Sequence, residues 1–161
     1  MNLILVSGDC MEFKIVDNIE CARECDNLLT ELIMSERKYD DNVNESYKVN
    51  KYYTEIFDKD YNTLICALCD DIVVGFIYGF LKYEKGILVK ENVGFIDALY
   101  VKEKYRNQGI ATQLIEEFYK WCDLKEIKCV EIDSFIKNEA ACKLYKKFGF
   151  EITSYRMRKN I

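Results

Sequence analysis

The chain has 161 residues, half of them hydrophobic and a third charged, which suits one folded domain with its own core and excludes a disordered chain. Its 23 basic and 28 acidic residues leave a net charge of −5 without a clustered basic run, so nucleic acid is not an expected partner. The lack of histidine rules out histidine triads and histidine metal sites, and eight cysteines with a single C-x-x-C pair do not make a zinc pattern, so no metal is expected.

At the N-terminus the apolar run Leu3 to Val6 is too short for a signal peptide or a membrane span, so no membrane partner is expected and the expected location is cytoplasmic. Residues 1–10 read as an N-terminal extension before a single domain, 11–161. Phe13 and Ile15 alternate with polar neighbours, which predicts a first strand from Met11. Asp17 and Glu20 have capping-box spacing, and Cys21, Cys25, Leu28, Leu29, Leu32 and Ile33 form one apolar face behind them, which predicts the first helix. A polar segment, Ser35 to Ser46, leads to a second apolar face at Val49, Tyr52, Tyr53, Ile56 and Phe57.

Two strands are predicted next, Thr63 to Leu68 and Ile72 to Leu81, joined by the turn-like Cys69-Asp70-Asp71. Cys66 and Cys69, three apart at the end of a strand, then point to opposite faces, and the cysteines read as buried thiols of a reducing compartment. Gly75 and Gly79 interrupt the second strand, marking either a close approach beside a cleft or relief of crowding between bulky neighbours. Lys82 to Glu91 is a charged connection to a third apolar run, Val93 to Val101.

After Val101 comes a short polar turn, and from Ile110 the apolar residues Leu114, Ile115, Phe118, Trp121 and Cys122 follow at helical spacing. The turn carries Arg106, Gly109 and the small Ala111, so the first N–H groups of the helix lie open. Four such donors have no intrahelical partner, and the macrodipole adds about half a positive charge, which makes this end a binding site for phosphate. Lys128 to Phe135 predicts a strand; Asn138 then precedes a short helix with Ala141, Leu144, Tyr145 and Phe148 on one face, closed by Gly149. Phe150 to Met157 predicts a last strand.

The run Arg106-x-x-Gly109-x-Ala111 resembles the acyl-CoA-binding motif of the GNAT N-acetyltransferase superfamily, and Asn138 followed by Leu144-Tyr145-Lys146-Lys147-Phe148-Gly149-Phe150 resembles its second motif. The resemblance covers nearly everything from Met11 onward. It departs from the family's pattern at Glu103, where proline is often found. It implies an α/β GNAT fold: a mixed, mostly antiparallel sheet of six or seven strands, splayed at the middle and flanked by about four helices. It also implies an acetyltransferase that moves an acetyl group from acetyl-CoA to a primary amine of a small molecule or protein, by direct attack in a ternary complex. The other reading left open is an acyl-CoA-binding sensor without turnover. Dimerisation is common for the fold, so a homodimer is a further expectation.

Residue by residue, the resemblance assigns the pyrophosphate to the backbone of Arg106, Asn107, Gln108, Gly109, Ile110, Ala111 and Thr112. The pantetheine arm falls to the backbone of Leu99, Tyr100 and Val101, with a free N–H near Leu99 or Tyr100 polarising the thioester carbonyl. Asn138 would bond the pantetheine amides, with Ala141 and Lys147 further along the cofactor. Asp97 is the candidate base and, by strand alternation, shares a face with Leu99. Tyr145 is the candidate acid beside the sulfur. The first helix, the loop and the second helix would border the acceptor pocket, with Tyr39, Tyr47, Tyr52 and Tyr53 as aromatic walls or as half-buried packing.

Overall fold

A computed structural model describes residues 2–6, 9–82, 92–159 and 161, with side chains from residue 11 onward. Six strands form one sheet in chain order: β1 (Asn2–Val6), β2 (Asp9–Ile15), β3 (Asn62–Cys69), β4 (Ile72–Lys82), β5 (Val93–Val101) and β6 (Cys129–Ile132). All neighbours are antiparallel except β5 and β6, which run parallel. Among the described residues there are four helices: α1 (Ile19–Glu36), α2 (Tyr52–Ile56), α3 (Ile110–Leu124) and α4 (Glu139–Lys147). None of them is long and apolar enough to cross a membrane.

Every residue of β3 is buried, because helices cover both faces of the sheet. Leu64, Cys66 and Leu68 pack with Ala22, Cys25 and Leu28 of α1 and with Tyr53 of α2. Ile65, Ala67 and Cys69 point the other way, into a core built with Leu114, Ile115 and Phe118 of α3. Cys66 and Cys69 thus belong to opposite cores, as their spacing predicts. Each fully buried aliphatic or aromatic side chain contributes roughly 1.5–3 kcal/mol before chain entropy is counted.

Local chemistry explains the element ends. Asp70 and Asp71 both take positive φ, 48° and 65°, the geometry of a two-residue hairpin turn between β3 and β4. α1 starts one residue later than capping-box spacing at Asp17 suggests: Asn18 is the cap, its side-chain oxygen accepting from the Cys21 N–H at 2.9 Å, while Asp17 receives the Asn18 amide. The crowding reading of Gly79 holds. A Cβ there would lie 2.4 Å from the Phe118 ring and 2.7 Å from the Phe95 carbonyl oxygen, so the missing side chain lets α3 settle on the sheet.

Three expectations change. The strand predicted over Lys128 to Phe135 is shorter, because β6 pairs with β5 only from Cys129 to Ile132 and then leaves it. Phe150 to Met157 forms no strand: Phe150 packs against the core, and from Glu151 the chain is an exposed tail in which Ile152, Tyr155 and Met157 find no core to join. Before Met11, Asn2–Val6 pairs with β2 as an edge strand. The charged connection Lys82 to Glu91 lies, after Lys82, outside the described residues.

Candidate active site

β5 and β6, the last two strands of the sheet, part beyond the Ile96–Ile132 pair. β5 continues five residues past Ile96 with β4 as its partner among the described residues. Leu99, Tyr100 and Val101 lie in this half-paired stretch, the fold's match to the expected splay. The chain then passes through a 3₁₀ turn, Glu103–Tyr105, into α3. Arg106 braces that turn, donating from Nε to the Val101 carbonyl at 2.9 Å, with its guanidinium 5.5 Å from the centre of the Tyr100 ring. Gln108 donates to the Lys104 carbonyl.

Asn107 and Gly109 both take positive φ, 62° and 82°, so the backbone curls before the helix starts. Gly109 is the cap residue and supplies no capping side chain; a Cβ placed there would meet nothing within 4 Å. Ile110 is buried beneath, while Ala111 and Thr112 are half-exposed in the first turn. Open backbone donors at a dipole's positive end with clear space in front fit a pyrophosphate.

On the α1 face lies a cavity of about 300 Å³. Leu29, Leu32, Ile33 and Glu36 line it from α1, Tyr47 and Val49 from the following loop, Tyr52 from α2, and Asp97 from β5. Asp97 reaches it because it is the extra residue of a β-bulge: Tyr78 pairs with Ala98 and Gly79 with Ile96, leaving Asp97 without a partner on β4. The bulge breaks strand alternation. Ala98 and Tyr100 pack on the α1 side, and Leu99 packs on the α3 side. Asp97 and Leu99 therefore do not share a face, which corrects the expectation from simple alternation. Although open to solvent at the cavity, the Asp97 carboxyl is ringed by protein; that partial burial, and then the Asp133 carboxylate, raise its pKa above the ordinary range.

Of the four tyrosines considered as pocket walls, Tyr47 and Tyr52 line the cavity. Tyr39 instead stacks on Phe135, and Tyr53 is fully buried among Phe76, Tyr78 and Tyr52. The Tyr53 hydroxyl is buried without a hydrogen-bond partner, and burial followed by the nearby Asp97 charge pushes its pKa well up.

Tyr145 sits on α4, half-buried, its ring edge-on to Phe150 at 5.8 Å. Burial first, then the Glu36 carboxylate, raise the pKa of its hydroxyl far above that of a free tyrosine. Glu36 thus links the cavity to Tyr145. Asn138 caps α4, its side-chain oxygen accepting from the Ala141 N–H at 3.3 Å, which leaves its amide N–H₂ donors to meet another group. Ala141 is half-exposed and Lys147 exposed on the same helix.

Two residues escaped the sequence reading. Glu36 was assigned to the polar segment, yet it stands four residues after Leu32 and seven after Leu29, continuing their stripe. Burial raises its pKa. Asp26 is buried and accepts from the Tyr53 N–H at 2.7 Å and from the Thr54 hydroxyl at 3.4 Å. A carboxylate within an apolar helix face, followed by tyrosines, was the available signal. Thr30 adds a second tie, its hydroxyl accepting from the Val49 N–H at 3.1 Å, so α1 holds both the loop and α2 that wall the cavity.

A profile of the acetyltransferase (GNAT) family matches residues 27–150. An L-amino acid N-acetyltransferase of Escherichia coli is 38% identical over 53 residues, a stretch covering 32% of this chain and only a third, 33%, of that relative's length. An aminoglycoside N(6')-acetyltransferase type 1 of Salmonella typhimurium is 27% identical over 110 residues, covering 65% of this chain and 75% of that protein. Among solved structures, a tetramutant of a Bacillus halodurans protein superposes with a TM-score of 0.80 at 15% identity, over 93% of this chain and 99% of that one. An aminoglycoside N-acetyltransferase in complex with CoA superposes with a TM-score of 0.73 at 18% identity, over 98% of this chain and 99% of that one.

Proposed function

The chain belongs to the GNAT acetyltransferase family, and on that footing we propose that it transfers an acetyl group from acetyl-CoA to a primary amine while both are bound. One observation carries this reading: β5 presents Asp97 to a cavity and then runs, half-paired, to an uncapped helix start at Gly109. Relatives named for aminoglycosides and L-amino acids support an amine acceptor, and the structural neighbour in complex with CoA supports the donor.

In this reading the backbone from Arg106 to Thr112 holds the pyrophosphate, and the Leu99–Val101 edge pairs with the amide-bearing arm. Asn138 turns its N–H₂ group to that arm, with Ala141 and Lys147 further along. A primary amine has a pKa near 10.4, so about one molecule in a few thousand is neutral at pH 7, and a nearby base raises its use. The nitrogen bonds to the thioester carbon, its proton passes to Asp97 directly or through water, and the carbon–sulfur bond breaks.

The departing thiolate resembles that of cysteine, with a pKa of about 8.5. With its pKa raised, Tyr145 keeps its proton across the working range and serves the sulfur as a hydrogen-bond donor. Burial raises the thiols of Cys25, Cys66 and Cys122, the last two to about 12, which argues against an acyl-cysteine route. The test is thiol release from acetyl-CoA with a panel of amines. Release that depends on one amine class supports the reading, and no release with any of them overturns it.

A further inference from the structure

The shape and charge of the cavity narrow the acceptor, an inference that rests on the acetyl-transfer reading above. Four of its eight lining residues, Leu29, Leu32, Ile33 and Val49, are aliphatic. These groups offer nothing to a sugar hydroxyl, and each hydroxyl buried against them would lose its water without a replacement. The volume of about 300 Å³ lies at the small end of ligand cavities, which run from about 300 to 1,000 Å³. A compact body seated on the aliphatic side of this cavity would bury no hydroxyl there.

Charge removes a second class. Glu36 and Asp97 are the ionisable carboxyls of the lining, and none of the described residues that line it is basic. Neither carboxyl has an ion pair among the described residues. An ammonium group entering the cavity meets carboxylates and no described cation, whereas the α-carboxylate of an amino acid would enter among like charges with no described cation to meet it. Tyr47 and Tyr52 add aromatic faces, which suit a cation or an apolar ring.

We propose that the acceptor is a compact primary amine on an aliphatic or aromatic body without a carboxylate, its ammonium drawn in by the Glu36 and Asp97 carboxylates and its body against the α1 stripe. Glu36 is then a binding residue for the acceptor.

The experiment compares 2-phenylethylamine, phenylalanine and kanamycin on the full chain, by thiol release with acetyl-CoA and by calorimetric titration of each compound. Phenylethylamine should exceed the other two in kcat/KM by about a hundredfold or more, since both lack compensation for a buried charge or hydroxyl. Glu36→Gln should raise its KM about tenfold, at unchanged KM for acetyl-CoA, as loss of a charge-assisted contact does. Leu32→Asn, which adds polarity and no charge, should weaken phenylethylamine and spare acetyl-CoA. Preference for phenylalanine or kanamycin overturns the inference while upholding acetyl transfer. Absence of thiol release with every amine overturns the transfer reading instead; calorimetry then decides the cavity separately, since phenylethylamine binding weakened by Glu36→Gln upholds it and no binding overturns it.

Discussion

Asp97 and Leu99, two residues apart on one strand, face opposite sides of the sheet. One extra residue on β5 separates Asp97, which looks into the cavity lined by α1 and is the proposed proton acceptor, from the side chain that anchors the strand against α3. The backbone between them is the half-paired edge at which the acyl group would lie. In the proposed reaction the bulge would bring the two substrates to one short stretch of chain from two sides.

Replacing Asp97 with asparagine should lower kcat/KM by about 10²–10⁴-fold, the usual contribution of a positioned base. In the wild type the acidic limb of the kcat/KM profile should fall above the ordinary aspartate value of about 3.9, because the folded-state pKa is raised, and Asp97→Asn should abolish that limb. The stability effect has the opposite sign. A carboxyl whose pKa is raised by folding costs stability once ionised, so this cost appears as pH rises through the folded pKa. Asp97→Asn should therefore raise Tm at pH 7, with the gain fading toward pH 3; a lower Tm at pH 7 would contradict the burial argument.

Tyr145→Phe should lower kcat by about 10²-fold while leaving the affinity for acetyl-CoA nearly unchanged. The ring stays, so its packing on Phe150 and the Tm should change little. Because the hydroxyl pKa is raised, ionisation of Tyr145 should cause no loss of rate below about pH 10 in the wild type. Equal loss of kcat and of acetyl-CoA binding would show that the residue acts through structure.

Gly79→Ala should destabilise the fold by about 1–3 kcal/mol, since the new methyl would meet the Phe118 ring and the Phe95 carbonyl, and backbone cannot yield as a flexible side chain can. Urea unfolding with an unchanged slope would register this as a lower midpoint. A variant as stable as the wild type would mean that α3 can shift on the sheet without loss of packing.

Periodic apolar runs made much of this fold legible from sequence. β5 runs from Val93 to Val101 and α3 starts at Ile110, as their patterns predict, because both bury long uninterrupted faces. The glycine turn before α3 was equally readable, since Gly109 takes a positive φ and leaves the helix start bare. The position of the bulge was not: Asp97 is itself the extra residue, and a polar residue between the apolar Ile96 and Ala98 reads as ordinary strand alternation. Glu36 was hidden for a related reason. A carboxylate at the end of an amphipathic helix reads as solvated surface, and only the packed position of α1 over β5 turns it inward. The final strand failed because its apolar residues had alternation but no partner strand.

The tail that follows α4 is nonetheless attached at its far end, where Arg158 grips Asp40 with two hydrogen bonds of 2.8 and 2.9 Å. The partners are 118 residues apart, so this contact closes a ring of about three quarters of the polypeptide. Such a closure is among the last events of folding, since it gains little until the intervening sheet has brought its ends together. An exposed ion pair also adds little to global stability. The clasp would then open and reclose on its own while the sheet stays intact, giving the loop before the cavity wall a rhythm of motion separate from that of the core.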